Sequence, residues 1–254
     1  MSLERDDAVV LRLSEFSEAS QIATLFGRGH GLLRLIAKGV RRGTRARFAA
    51  GLDLLELGEV SFALPRGDAQ LGTLADWVQR DSFTGLRHEL LRLQAGLYAV
   101  ELVTALTEEH DPHPELFDTL VDTLRRLAGT GPAAPLVPRF QAAVLHAVGY
   151  HPLLNECASC HRPAPVRGPL HFSSGAGGVL CRDCEMHYVE KRRLPDGLLA
   201  TRPDAGDPSA WFELLDYHAA HIAGRRMSSA ACLLYTSDAA DDLLCVDLGG
   251  RRII

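Results

Sequence analysis

Cys157, Cys160, Cys181 and Cys184 form two Cys-x-x-Cys pairs separated by twenty residues. Each pair makes a tight turn that aims two thiolates at one point, and two such turns supply the four sulfurs of a tetrahedral zinc site. Gly168, Gly175, Gly177 and Gly178 lie between the pairs and suit a short hairpin joining the two knuckles. Four sulfur ligands leave no position for a catalytic water, so the expected Zn2+, one per chain, contributes folding energy and no chemistry. His161, His171 and His187 are ligands by type, but four well-spaced cysteines make them unnecessary. Two disulfides, a redox Cys-x-x-Cys and an iron–sulfur cluster are the competing readings. A redox motif needs one pair only, opening a helix in a βαβ unit that this sequence lacks.

A second group of residues suits binding rather than catalysis. Between Arg28 and Arg47 stand Arg28, Arg34, Lys38, Arg41, Arg42, Arg45 and Arg47, with no Asp or Glu among them. Phosphates attract such clusters with little sequence preference and strong salt dependence. Phe16, Phe26 and Phe48 are the local aromatics on which bases would stack. The bland alternative is a solvated basic loop beside core phenylalanines. The chain has no P-loop, no Gly-x-Ser-x-Gly and no His-Glu-x-x-His, so nothing argues for an enzyme. His88, His110, His113 and His146 read as surface or satisfied core histidines.

The elements that carry these residues change character along the chain. Residues 7–80 read as five short strands: 7–13, 20–26, 32–37, Leu52 to Leu64 broken at Gly58, and Leu71 to Val78. The Gly-rich turn Gly27 to Gly31 marks a hairpin between the second and third. Five strands in so short a stretch suit an OB-fold β-barrel, a nucleic-acid-binding design. From Asp81 the period becomes helical. Leu86, Leu90, Leu93, Leu97 and Val100 mark one helix face. His113-Pro114 opens a second helix with Leu116, Leu120, Leu124 and Leu127 inward, closed by Gly129. A Pro-rich linker, Gly131 to Pro138, leads to a third helix ending at Gly149. Asp207-Pro208 opens the last, with Trp211, Phe212, Leu215, His218 and Ile222 inward. The reading is an α+β multidomain chain: an OB-fold barrel over 1–80, then an α-helical domain over 81–231 with a four-cysteine zinc-ribbon insertion at 150–195.

Bulk numbers agree with this frame. The chain has 254 residues, 46% hydrophobic and 23% charged, the balance of an ordinary globular protein. The net charge of −5 leaves the basic segment as a local positive surface on an acidic chain. No apolar run reaches the ~20 residues that span a bilayer, and the acidic N-terminus has no secretory signal. A cytoplasmic location with reduced thiols is expected, which favours metal over disulfides.

The last 23 residues, Cys232 to Ile254, read differently. They back-translate into the transposon end and primer site of a tagmentation sequencing library, a gap of sample-index length, and the complement of a flow-cell adaptor. The expectation is that 232–254 is translated adaptor and the gene-encoded chain runs to about Ala231. Cys232 and Cys245 lie in this tail, so four of the six cysteines remain, and all four fit one site.

Several motifs in order resemble one family. Val9-Val10-Leu11-Arg12, Phe16 to Ile22 and Thr24-Leu25-Phe26 are similar to the opening strands of the bacterial DNA repair protein family RecO. Ala37-Lys38-Gly39-Val40-Arg41-Arg42 resembles its Ala-Lys-Gly-x-Arg-Arg signature. Arg139-Phe140, then Val148 to Leu154 and Cys157, is similar to its approach to the metal site. Leu215-Asp216-Tyr217-His218 with Gly224-Arg225-Arg226 resembles its final helix. The resemblance covers residues 7–230. It implies a recombination mediator of the RecF pathway that binds single- and double-stranded DNA and anneals complementary strands. It also implies partners: RecR, single-strand-binding protein and, indirectly, RecA, which is loaded on coated single strands. A nucleoid-associated location follows from the same resemblance. The rival from another class is a zinc-stabilised protein-interaction adaptor without direct DNA binding.

Overall fold

The first strand, β1 (Glu4–Ser17), is long enough to serve two neighbours. Its first half pairs antiparallel with β4 (Leu57–Ala63) and its second with β2 (Ser20–Gly27). β2 continues into β3 (Gly31–Lys38), and β3 pairs in parallel with β5 (Gly72–Asp81), which returns beside β4. The result is a closed barrel in the order β1-β2-β3-β5-β4, the OB-like arrangement. The computed structural model describes residues 3–18, 20–38, 52–65, 71–164 and 169–233. Arg41, Arg42, Arg45, Arg47 and Phe48 lie outside the described residues, as do residues 234–254 of the adaptor-like tail.

Two departures from the expected strands have local causes. Residues 52–56 are not strand. They form a turn in which Leu55 adopts φ 67° and the Asp53 N–H donates to Glu56 at 3.2 Å. Gly58 does not interrupt its strand. It sits inside β4 because a Cβ there would meet the Trp77 ring at 2.5 Å. The glycine makes room for the Trp77 indole, which is buried in the barrel core.

That core holds Ala8, Val10, Ala23, Leu25, Leu33, Leu35, Val60, Phe62 and Leu74. The alternate residues Val9, Leu11, Phe26 and Leu32 face out of the barrel into a second core shared with the helices. Period-two alternation thus gives β1–β3 two buried faces at this end. Phe26 is fully buried, 6.2 Å from the Phe117 ring, so it is a core residue and not a base-stacking platform. Burying one phenylalanine contributes roughly 1.5–3 kcal/mol.

The helical part contains α1 (Leu90–Leu106), α2 (Pro114–Ala128), α3 (Leu136–Ala147) and α4 (Pro208–Ala223). α1 buries Ala95, Tyr98, Ala99, Leu102 and Val103, contacting α2, α3, α4 and β1. A helix enclosed on several sides is apolar nearly all round. The expected stripe therefore caught one flank only: Leu86 lies in the preceding 3-10 turn and Leu90 is exposed. α2 buries Leu116, Leu120, Leu124 and Leu127, with Pro at its first turn. α3 starts at Leu136, earlier than expected, because a proline in the first helical turn costs no hydrogen bond and Pro138 is tolerated there. Asp207 caps α4 by accepting from the Ser209 and Ala210 N–H groups, and Gly224 ends it at φ 65°. Ile222 is only half-buried. A further helical turn, 228–233, packs against α1 through Glu101.

The β2–β3 turn locks the two parts together. Gly31 has φ +66°, and a Cβ on it would sit 2.1 Å from the Asp111 carbonyl oxygen. Only glycine admits that approach. Arg28, in the same turn, grips Asp118 of α2 with two hydrogen bonds of 2.9 and 2.8 Å.

Candidate metal centre and nucleic-acid face

Between α3 and α4 the chain folds a small sheet, β7-β6-β8, from β6 (His171–Ser173), β7 (Gly178–Leu180) and β8 (Arg192–Arg193). β6 and β7 are the expected hairpin between the knuckles. The first knuckle closes with the Cys157 N–H on the Arg162 carbonyl at 2.8 Å and the His161 N–H on the Cys157 carbonyl at 2.8 Å. In the second, the Cys184 and Glu185 N–H groups both donate to the Cys181 carbonyl at 3.0 Å. These turns bring all four sulfurs within 4.8 Å of one another.

The spacing excludes the disulfide reading. Cys160 Sγ and Cys181 Sγ are 3.7 Å apart, far beyond the ~2.05 Å of a disulfide. A tetrahedron with metal–sulfur bonds of about 2.3 Å has edges of about 3.8 Å. The four sulfurs therefore fit one tetrahedral metal ion. Among the described residues no histidine belongs to this group. His161 pairs with Glu156 at 2.9 Å, and His171 with Glu185.

The surroundings of the four thiols are unequal. The Arg162 guanidinium donates to Cys160 Sγ at 3.3 Å and pulls its pKa down to about 6. Burial opposes ionisation of Cys157, but the N–H groups of Cys181, Cys160 and Ser159 outweigh it and lower its pKa. The Ser159 hydroxyl favours the Cys184 thiolate, yet the neighbouring sulfurs prevail and push Cys184 up to about 12. A cation is what lets all four sulfurs be anionic together. Arg162, anchored to Asp183 at 2.8 Å, is a site residue the sequence reading missed. Its signal was its place two residues after Cys160.

Glu190 ties this sheet to the helices. It accepts from Ser173 Oγ at 2.8 Å and the Gly175 N–H at 2.9 Å, and it bonds the Tyr217 hydroxyl of α4. Arg192 lies 5.2 Å over the Tyr217 ring.

The basic residues are distributed less simply. Arg28 spends its guanidinium on Asp118, which holds its pKa above the usual arginine value. Arg34 projects outward from β3 and pairs loosely with Glu109 at 3.5 Å. Lys38 is exposed at the end of β3, where the chain enters the undescribed loop. Phe16 is 57% exposed near the β1–β2 tip, in contrast to the buried Phe26.

The chain is of the class that joins a closed five-stranded barrel to helices carrying a four-cysteine knuckle; among the described residues no helix is long and apolar enough to cross a membrane. Two family models match in tandem. Recombination protein O N terminal covers residues 1–83, and Recombination protein O C terminal covers residues 87–204. The chain belongs to the RecO family of DNA repair proteins. It is 38% identical to DNA repair protein RecO of Pelotomaculum thermopropionicum over 184 residues, 72% of this chain and 69% of the relative. It is 36% identical to that of Rhodopirellula baltica over 203 residues, 79% and 74% of the two chains. With that of Myxococcus xanthus it shares 33% over 236 residues, 88% and 94%.

Proposed function

We propose that this chain is a DNA-binding recombination mediator that acts without catalysis. In this reading it binds single- and double-stranded DNA and anneals complementary strands. With RecR it helps load RecA on DNA coated by single-strand-binding protein, in the cytoplasm at the nucleoid. The observation that carries the reading is the tandem family match laid over a barrel of the kind that binds oligonucleotides. Arg28, Arg34, Lys38, Arg41, Arg42, Arg45 and Arg47 are its DNA-contacting residues.

The metal in this reading is Zn2+, one per chain, held by Cys157, Cys160, Cys181 and Cys184. When bound it supplies folding energy. The ligand chemistry supports zinc, because four thiolates at tetrahedral spacing are the structural zinc donor set.

One observation favours the adaptor reading: Arg28 and Arg34 face carboxylates and not open solvent alone. A strand-annealing assay on complementary oligonucleotides coated with single-strand-binding protein, with and without RecR, separates the two. Faster annealing by this chain supports the mediator, and an unchanged rate refutes it. Replacing Lys38, Arg41 and Arg42 together by Ala should weaken DNA affinity and flatten its salt dependence by about 0.7 per lost single-strand contact. Unaltered binding would remove these residues from the interface.

A further inference from the structure

A groove runs between the outer face of β1–β3 and the C-terminal end of α1. The sheet register builds one wall. Ala23 and Leu25 point into the barrel, so Thr24 between them points out. An irregularity between Val10 and Arg12 shifts β1 by one residue, and Arg12 then pairs with Thr24. Thr24 in turn pairs with Arg34. Arg12, Thr24 and Arg34 therefore form a cross-strand row on the exterior. Thr104 and Thr107 of the α1 end make the opposite wall, and the groove encloses about 390 Å³.

A second groove of about 640 Å³ shares Arg12 and Thr104 and leads on to Arg225. Arg12 stands where the two meet.

The arginines of the chain are unequally paired, and on this path Arg225 already holds Glu101 at 3.0 Å. Arg28, Arg80, Arg87, Arg92 and Arg162 each hold a carboxylate within 3.0 Å. The Arg12 side chain is exposed and makes no ion pair or hydrogen bond with the described residues. Glu109 is the carboxylate of the first groove, and Arg34 at 3.5 Å already neutralises it. That pair is exposed and worth about 0.2–1 kcal/mol, weak enough for a phosphate to compete. Beyond Arg12 on the same strand, Ser14 lines the groove and exposed Phe16 follows at the same alternation.

We infer that this groove is the track for one extruded DNA strand, with Arg12 as its central phosphate contact. The inference rests on the DNA-binding reading and extends it to a residue outside the basic segment. The volume is that of a small-molecule pocket, about 300–1,000 Å³. A single strand suits it, because unpaired bases are free to stack on an exposed aromatic such as Phe16. Hydroxyls on both walls suit the sugar-phosphate backbone, and Phe16 at the open end offers a stacking face.

The test uses the full chain and a fluorescent oligothymidylate, followed by anisotropy from low to moderate salt. Arg12→Ala should weaken binding about three- to tenfold and flatten the salt slope by about 0.7, and Arg12→Lys should restore most of it. Arg139→Glu, on an exposed arginine of α3 outside both grooves, should cost less than Arg12→Ala. A second measurement keeps Arg12 intact. p-Benzoylphenylalanine in place of Thr104 should cross-link the single strand and not a blunt hairpin duplex. If the unaltered chain binds the oligonucleotide while Arg12→Ala binds equally well or the Thr104 probe captures nothing, the groove is not the track and the DNA-binding reading stands. If the unaltered chain binds no DNA, both fall.

Discussion

Glu101 lines the larger groove and pins residues 228–229 to α1, and its removal has a calculable cost. One carboxylate oxygen accepts from Arg225 Nη1 at 3.0 Å, the Ser228 N–H at 2.9 Å and Ser228 Oγ at 2.8 Å. The other accepts from the Ser229 N–H at 2.9 Å and Ser229 Oγ at 2.6 Å. Burial opposes ionisation, but these donors outweigh it and pull the pKa from 4.5 to about 2. A shift of that size corresponds to a ceiling of about 3.4 kcal/mol at ~1.36 kcal/mol per unit. The carboxylate borders an open groove, so solvent screening reduces the expected effect to about 1.5–2 kcal/mol. A depressed carboxylate pKa contributes stability that is complete above the unfolded-state value of 4.5 and is lost as pH falls through the folded value of about 2. Glu101→Gln should therefore lower the urea-unfolding free energy by about 1.5–2 kcal/mol at pH 7. It should also speed hydrogen exchange at residues 228–233. The gap from wild type should narrow from about pH 5 downward. Equal stability at pH 7, or a gap that does not depend on pH, would refute the reasoning.

Three further outcomes follow from the geometry. Purified chain should carry one zinc by metal analysis, and Cys157→Ser or Cys181→Ser should abolish it, since each removes one corner of the tetrahedron. Gly31→Ala should cost ~2 kcal/mol or more in denaturant unfolding, because a Cβ would stand 2.1 Å from the Asp111 carbonyl oxygen at a φ of +66°. Tyr98→Phe should cost about 1–3 kcal/mol, a melting-point drop of several degrees in calorimetry. The buried hydroxyl donates to Asp216 at 2.9 Å and accepts from Gln141 at 2.6 Å; Asp216 would lose this donor, and Gln141 would keep only its longer bond to the Phe212 carbonyl at 3.3 Å.

The cysteine knuckles, the Asp207-Pro208 helix start, the α2 stripe and the five-strand count were all readable from residue order. Each depends on neighbours within a few positions, and spacing carries that information. A Cys-x-x-Cys turn or a proline-led cap has the same geometry wherever the chain places it. Tertiary structure decided the rest. Arg28 reads as a free cation until Asp118, ninety residues away, closes on it. Phe26 reads as a stacking platform until α2 covers it with Phe117. Gly58 reads as a strand break until Trp77 of the neighbouring strand takes the space its missing side chain leaves. Arg12 was the residue least visible in advance. Its place in the opening-strand motif says nothing of which way it points, and the face it occupies depends on a one-residue irregularity in the β1–β2 pairing. Local spacing determined what chemistry each segment could hold. Register and long-range pairing determined which charges were already spent and which were left facing outward.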